Sequence, residues 1–215
     1  MDGNESRPLG KESPIPWRIV LLLGGLVAVG PLSIDMYLPA FAQIAESLGT
    51  GVGDIQITLS VFLGGIAVGQ AFYGPVADRY GRKRPLIFGL SLYVVGTAGC
   101  ALSTTLESLT AWRLVAALGG AGGMVVARSV VRDCCNTMEM AKMFSLLMLI
   151  MGAAPILAPA LGGAMLKFTG WEMLFVILFL FGVGCLAASL FWLQETLPPQ
   201  RRAVGGLAPA LRRYG

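Results

Sequence analysis

Gly74-Pro75-Val76-Ala77-Asp78-Arg79-Tyr80-Gly81-Arg82-Lys83-Arg84-Pro85 is a short basic knot between two long apolar runs. The run before it extends from about 55 to 73, and the run after it from about 86 to 102. Each is long enough to cross a bilayer as a helix. Between them lie one carboxylate, Asp78, and the cations Arg79, Arg82, Lys83 and Arg84. Cations gathered in so short a connection mark it as cytoplasmic, and every other segment takes its orientation from it.

Working outward, the same pattern repeats. Six spanning helices are predicted, at about 17–40, 53–74, 85–105, 108–130, 142–166 and 171–193. The chain is 55% hydrophobic and only 13% charged, and the charges avoid the apolar runs. Its mean hydropathy is +0.73. This is an all-α membrane protein with a bundle of six transmembrane helices. Runs of this length exclude a transmembrane barrel, whose strands are shorter and alternate. A cleaved signal peptide does not fit the first run, which is too long for a typical apolar core.

Arg7, Lys11 and Arg18, the knot, then Arg128, Arg132 and Lys142, and finally Arg201, Arg202, Arg212 and Arg213 all fall on one side of this topology. The other side carries Lys167 with Glu46, Asp54, Glu107 and Glu172. Both termini are therefore expected in the cytoplasm. Residues 1–16 read as a disordered polar lead, 17–199 as the membrane domain and 200–215 as a basic tail. The net charge of +4 follows from this one-sided distribution, so nucleic acid is not expected as a partner. With no histidine, and no pair of cysteines in C-x-x-C spacing among Cys100, Cys134, Cys135 and Cys185, neither a metal nor a cofactor is expected.

The charged residues set more than one turn inside the predicted spans are Asp35 and Arg113, each about five residues from the outer end of its helix. That places them at matched depth, roughly 7–8 Å inside the boundary at 1.5 Å per residue. Such groups are costly unless they pair, snorkel to the headgroups or line a watery cavity. Their contact is not legible from spacing. In the fifth predicted helix, Pro155 and Pro159 with Gly162 and Gly163 combine lost backbone donors with small residues for close approach. Plain packing and a bent, gating helix are both compatible with that composition. The pair Arg128 and Arg132 shares a helix face beside Asp133 and either meets Asp78 across the surface or faces water.

Together these stretches resemble the N-terminal six-helix half of a major facilitator superfamily transporter, and within it the Bcr/CflA drug-resistance branch. The knot at 74–85 is similar to the superfamily's motif between helices 2 and 3. Ser33-Ile34-Asp35-Met36-Tyr37-Leu38-Pro39-Ala40 resembles the branch's helix 1 signature, and Ala127 to Asp133 its helix 4 ending. Ala154 to Gly163 resembles the antiporter motif of helix 5, and Leu193 to Pro198 a familiar closing pattern. The resemblance covers about residues 17–200. It implies proton-coupled export of small organic molecules or drugs across a bacterial cytoplasmic (inner) membrane, with no enzymatic chemistry. It assigns proton coupling and the substrate cavity to Asp35 and Arg113. It assigns a cytoplasmic gate to Asp78, Arg79, Arg82, Lys83, Arg128, Arg132 and Asp133. Its partners would be protons, small organic substrates, the lipid bilayer and a second six-helix half. Ala116 departs from the family, which usually carries glutamine there. The rival readings are an inactive half or membrane scaffold, and an uncoupled facilitator or importer.

Overall fold

The computed structural model describes residues 16–201. The lead at 1–15 and the tail at 202–215 lie outside the described residues. Seven α-helices follow in order: α1 Trp17–Asp35, α2 Phe41–Ser47, α3 Val52–Tyr80, α4 Lys83–Ala101, α5 Leu106–Cys134, α6 Thr137–Met165 and α7 Glu172–Trp192. The first two, joined by a short turn, make one membrane-length unit, so there are six spans among the described residues.

Five spans differ in their bounds from the sequence expectation, the third ending at Ala101 rather than near residue 105. The first span does not run unbroken to residue 40. It stops at Asp35, passes through a 3-10 turn at Leu38–Ala40 and resumes to Ser47. Pro39 has no N–H to donate to the carbonyl of Asp35, four residues back, so the regular ladder fails there. The second, fourth and fifth spans run longer at their basic ends than expected. Asp78, Arg79, Arg128, Arg132, Asp133 and Lys142 all sit on helices rather than in loops. Charge ends a hydrophobic run but not a helix, because Arg and Lys are good helix formers.

The ends are capped locally. Thr105 Oγ1 accepts the Ser108 N–H at 3.2 Å at the start of α5. Asn136 Oδ1 accepts the Glu139 N–H at 2.9 Å, and Glu139 reaches back to the Asn136 N–H at 3.3 Å. This is a reciprocal capping box. At α3, Asp54 accepts the Gly51 N–H and the Thr50 hydroxyl, at 3.1 and 2.7 Å.

α5 is the central pillar. It packs on α4, α3, α1 and α6 and is the most buried of the six spans, whereas α6 is the most exposed. The sequence explains the difference. The run Gly119 to Gly123 lets neighbouring backbones come close, and Gly119 lies directly against the backbone of Tyr93 on α4. α6 instead turns Met148, Leu149, Ile156, Leu157 and Leu161 outward. It is one helix through both prolines. At Gly162 it touches the broken part of the first span, where an added Cβ would stand 2.6 Å from the Met36 carbonyl oxygen.

Candidate functional site

Two polar centres lie at opposite ends of the bundle. The first is built around Arg113 on α5. Arg113 is 1% exposed. Its guanidinium carbon lies 3.9 Å from the centroid of the Tyr37 ring, 4.5 Å from that of Phe62 and 5.9 Å from that of Phe175. One side-chain N–H, at Nη2, points to the Ser33 carbonyl at 3.5 Å, and Nε has no acceptor. Aromatic faces carry negative potential, so three rings replace part of the hydration of the cation.

The rings are themselves held. The Tyr37 hydroxyl pairs with Thr58 Oγ1 at 2.7 Å, and Thr58 donates to the Ile55 carbonyl at 2.7 Å. Ser33 Oγ pairs with the Tyr93 hydroxyl at 2.8 Å and donates to the Val29 carbonyl at 2.7 Å. Trp171 packs edge-on against Phe175, with centroids 6.0 Å apart. Five of the six spans thus contribute to one cluster.

Asp35 and Arg113 are not an ion pair in this structure. The ion pairs among the described residues belong to Arg82. Asp35 is half-buried at the last position of α1, two residues past the carbonyl that Arg113 contacts. Rings rather than a carboxylate surround the Arg113 guanidinium. Ala116 is buried, with its backbone against Gly96 on α4.

The second centre is at the basic end. Arg82 lies in the turn between α3 and α4 and is 6% exposed. Its Nε donates to Asp133 Oδ2 at 2.8 Å and its Nη1 to Asp78 Oδ1 at 2.5 Å. The Asp133 side chain is 17% exposed and that of Asp78 56%, so the α5 pairing is the drier one. Burial lowers the proton affinity of Arg82, but the hydrogen bonds and charges of Asp133 and Asp78 outweigh it, and its pKa lies above the ordinary value.

Glu195, just beyond α7, completes the centre. It accepts the backbone N–H groups of Arg82 at 2.8 Å, Lys83 at 3.4 Å and Leu197 at 3.1 Å. It therefore caps the start of α4, where free N–H groups and the helix dipole favour an anion. Lys83 Nζ donates to the Leu190 carbonyl at 2.9 Å, and Thr196 Oγ1 to Asp133 Oδ2 at 3.1 Å. The ends of α3, α4, α5 and α7 are thereby tied together.

The other sequence candidates stay outside this network. Arg132 donates to Ser129 on its own helix at 3.1 Å, and Arg79 stacks near the ring of its neighbour Tyr80 at 5.4 Å. Neither Arg128 nor Arg132 forms an ion pair with Asp78, whose partner is Arg82. Gly163 makes no close approach, its nearest neighbour to an added Cβ being Pro39 at 3.9 Å. Glu195, Tyr37, Phe62 and Phe175 were missed. An acid placed directly after the last apolar run was the available signal for Glu195. The rings carry no signal that separates them from ordinary core aromatics.

The Major Facilitator Superfamily model matches residues 21–213. An uncharacterized MFS-type transporter, YdgK, of Bacillus subtilis is 37% identical over 97% of this chain and 52% of its own length. The bicyclomycin resistance protein homolog of Haemophilus influenzae is 34% identical over 85% of this chain and 46% of its own. Multidrug resistance protein MdtL of Escherichia coli is 38% identical over 84% of this chain and 46% of its own. The chain spans about half the length of these relatives. In structure it is similar to the human organic anion transporter MFSD10 (TETRAN), with a TM-score of 0.68 at 20% identity, over 88% of this chain and 50% of that one. Six membrane-length apolar helices, the motif around Arg82 and these relatives agree: the chain is a multi-pass membrane protein of the Major Facilitator Superfamily, a transporter family rather than an enzyme family, with relatives of the Bcr/CflA multidrug type.

Proposed function

We propose that the protein exports small organic molecules in exchange for protons, with Asp35 as the proton carrier and Arg113 as the group that tunes it. The observation carrying this reading is the fully buried Arg113, whose Nε lacks an acceptor and whose guanidinium has no carboxylate against it. A buried cation without a counter-ion is costly and marks a functional position. Asp35 stands two residues from the carbonyl that Arg113 contacts, beside the break at Met36–Ala40. A small rotation at that break brings the carboxylate toward Nε and favours loss of its proton. Withdrawal to an apolar setting favours proton uptake. The drug-resistance names of the relatives support export of organic compounds as the direction and substrate class. In this reading the basic end faces the cytoplasm, where the Arg82 centre closes the path between this bundle and a second one.

The test is transport in vesicles by the whole protein. Asp35→Asn is expected to abolish both substrate-induced proton release and export driven by an imposed pH gradient. Retention of both removes Asp35 from the coupling role. A second reading, a half that does not transport by itself, is favoured by the half-length match to the relatives. Substrate uptake into vesicles holding only this chain rejects it.

A further inference from the structure

Between α3 and α4, at the basic end, a groove of about 480 Å³ opens on the outer surface of the bundle. Phe72 and Val76 of α3 form one wall, and Phe88 and Leu92 of α4 the other. Its floor is Gly69 and Leu118. The lining is almost wholly apolar, and Phe72 and Phe88 are more than half exposed. At its mouth stand Tyr80 and the exposed Arg84, with Arg79 beside Tyr80. Among the described residues neither arginine enters an ion pair.

We infer that this groove holds one acyl chain of an anionic glycerophospholipid, whose phosphate is bound by Arg84. Three observations converge on that occupant. The first is length. From Gly69 to Tyr80 the helix rises through eleven steps, roughly 16 Å at 1.5 Å per residue. That matches half of a hydrocarbon core of about 30 Å, the depth of one leaflet. The second is order along the groove. Apolar rings come first, then a tyrosine and then cations, the same sequence of environments that a phospholipid presents from tail to headgroup. The third is charge. Arg82 is consumed by Asp133 and Asp78, and the Lys83 ammonium by the Leu190 carbonyl. Arg84 faces outward without such a partner, so a phosphate meets a free guanidinium that can donate two parallel hydrogen bonds. The site is distinct from the Arg113 cluster and does not depend on which substrate is carried.

Its position has a consequence. Phe88 and Leu92 belong to the helix whose first N–H groups are held by Glu195, and Val76 to the helix that carries Asp78. A seated acyl chain braces the two helices on either side of the Arg82 turn. It therefore favours the arrangement in which that turn is closed.

The experiment uses the whole protein in vesicles of phosphatidylcholine containing a trace of phosphatidylglycerol with a photoreactive group on its acyl chain. Cross-links are expected on Phe72, Val76, Phe88 or Leu92, above the level on the exposed α6 residues. They should be competed by unlabelled phosphatidylglycerol but not by phosphatidylcholine. Arg84→Gln should reduce them about fivefold, the size of one basic contact with an anionic surface. Lys142→Gln removes an equal charge at the same end, away from the groove, and should leave them unchanged. Val76→Trp, or Leu92→Trp where the former does not accumulate, should fill the groove and remove the cross-links. The inference is overturned by labelling spread evenly over the bundle surface, by equal loss in Lys142→Gln and Arg84→Gln, by equal competition from phosphatidylcholine, or by cross-links to another part of the protein in place of lipid.

Discussion

Arg113 and Tyr37 form a cation–aromatic contact, with the guanidinium carbon 3.9 Å from the ring centroid, and no carboxylate pairs with that guanidinium. The contact ties α5 to the turn that interrupts the first span. Tyr37→Leu should weaken it by about 0.5–2 kcal/mol. Tyr37→Phe keeps the ring and loses only the Thr58 hydrogen bond, about 0.5–1.5 kcal/mol. Thermal unfolding in detergent should rank the wild type, Tyr37→Phe and Tyr37→Leu in that order of stability. Equal values for Phe and Leu would show that the ring face contributes nothing.

Removing the two carboxylates around Arg82 should have unequal effects. Asp133→Asn acts on the drier pair, at 17% side-chain exposure, and should cost about 1.5–3 kcal/mol, the range for a charged hydrogen bond. Asp78→Asn acts on a carboxylate 56% exposed and should cost about 0–1 kcal/mol. The second loss should shrink in high salt, since exposed charges are screened more than buried ones. Denaturation of the two variants at low and high ionic strength checks both statements. The reverse order of cost would mean that the α5 pairing is not the stronger one.

Gly81 has φ +92° and ψ 170°, a backbone region open essentially to glycine alone. Its α-carbon also lies against the Glu195 carboxylate, so an added Cβ displaces the cap of α4. Gly81→Ala should therefore destabilise by about 1–3 kcal/mol from backbone strain, with the lost cap in addition. Glu195→Gln preserves the shape and removes the charge, and should cost about 0.3–1 kcal/mol from the helix dipole. A Gly81→Ala protein as stable as wild type would reject the tight turn.

Gly162 sits against the Met36 carbonyl at the break of the first span. Gly162→Ala should force α6 away from that turn, while Gly163→Ala, whose added Cβ would meet only Pro39 at 3.9 Å, should be tolerated. Overpacking of this kind costs about 1–3 kcal/mol. Paired thermal melts of the two variants read the difference. Equal stability would remove the close approach as the reason for the first glycine.

The amino-acid sequence alone determined the architecture. Six apolar runs, their order and the one-ended charge distribution follow from what a bilayer accepts, and each is a local or additive property. The basic knot was legible because its cations and Asp78 are neighbours in the chain. The break after Asp35 was also within reach, since Pro39 cannot donate to the carbonyl four residues back. Only the tertiary structure decided which groups meet. Arg82 selects Asp133 from a helix fifty-one residues on, and Glu195 arrives from beyond the last span. Arg113 gathers Tyr37, Phe62 and Phe175 from three different spans. Those partners depend on the rotation of each helix about its axis. That rotation is set by close backbone contacts such as Gly119 against Tyr93, which no hydrophobic pattern along a uniformly apolar helix encodes.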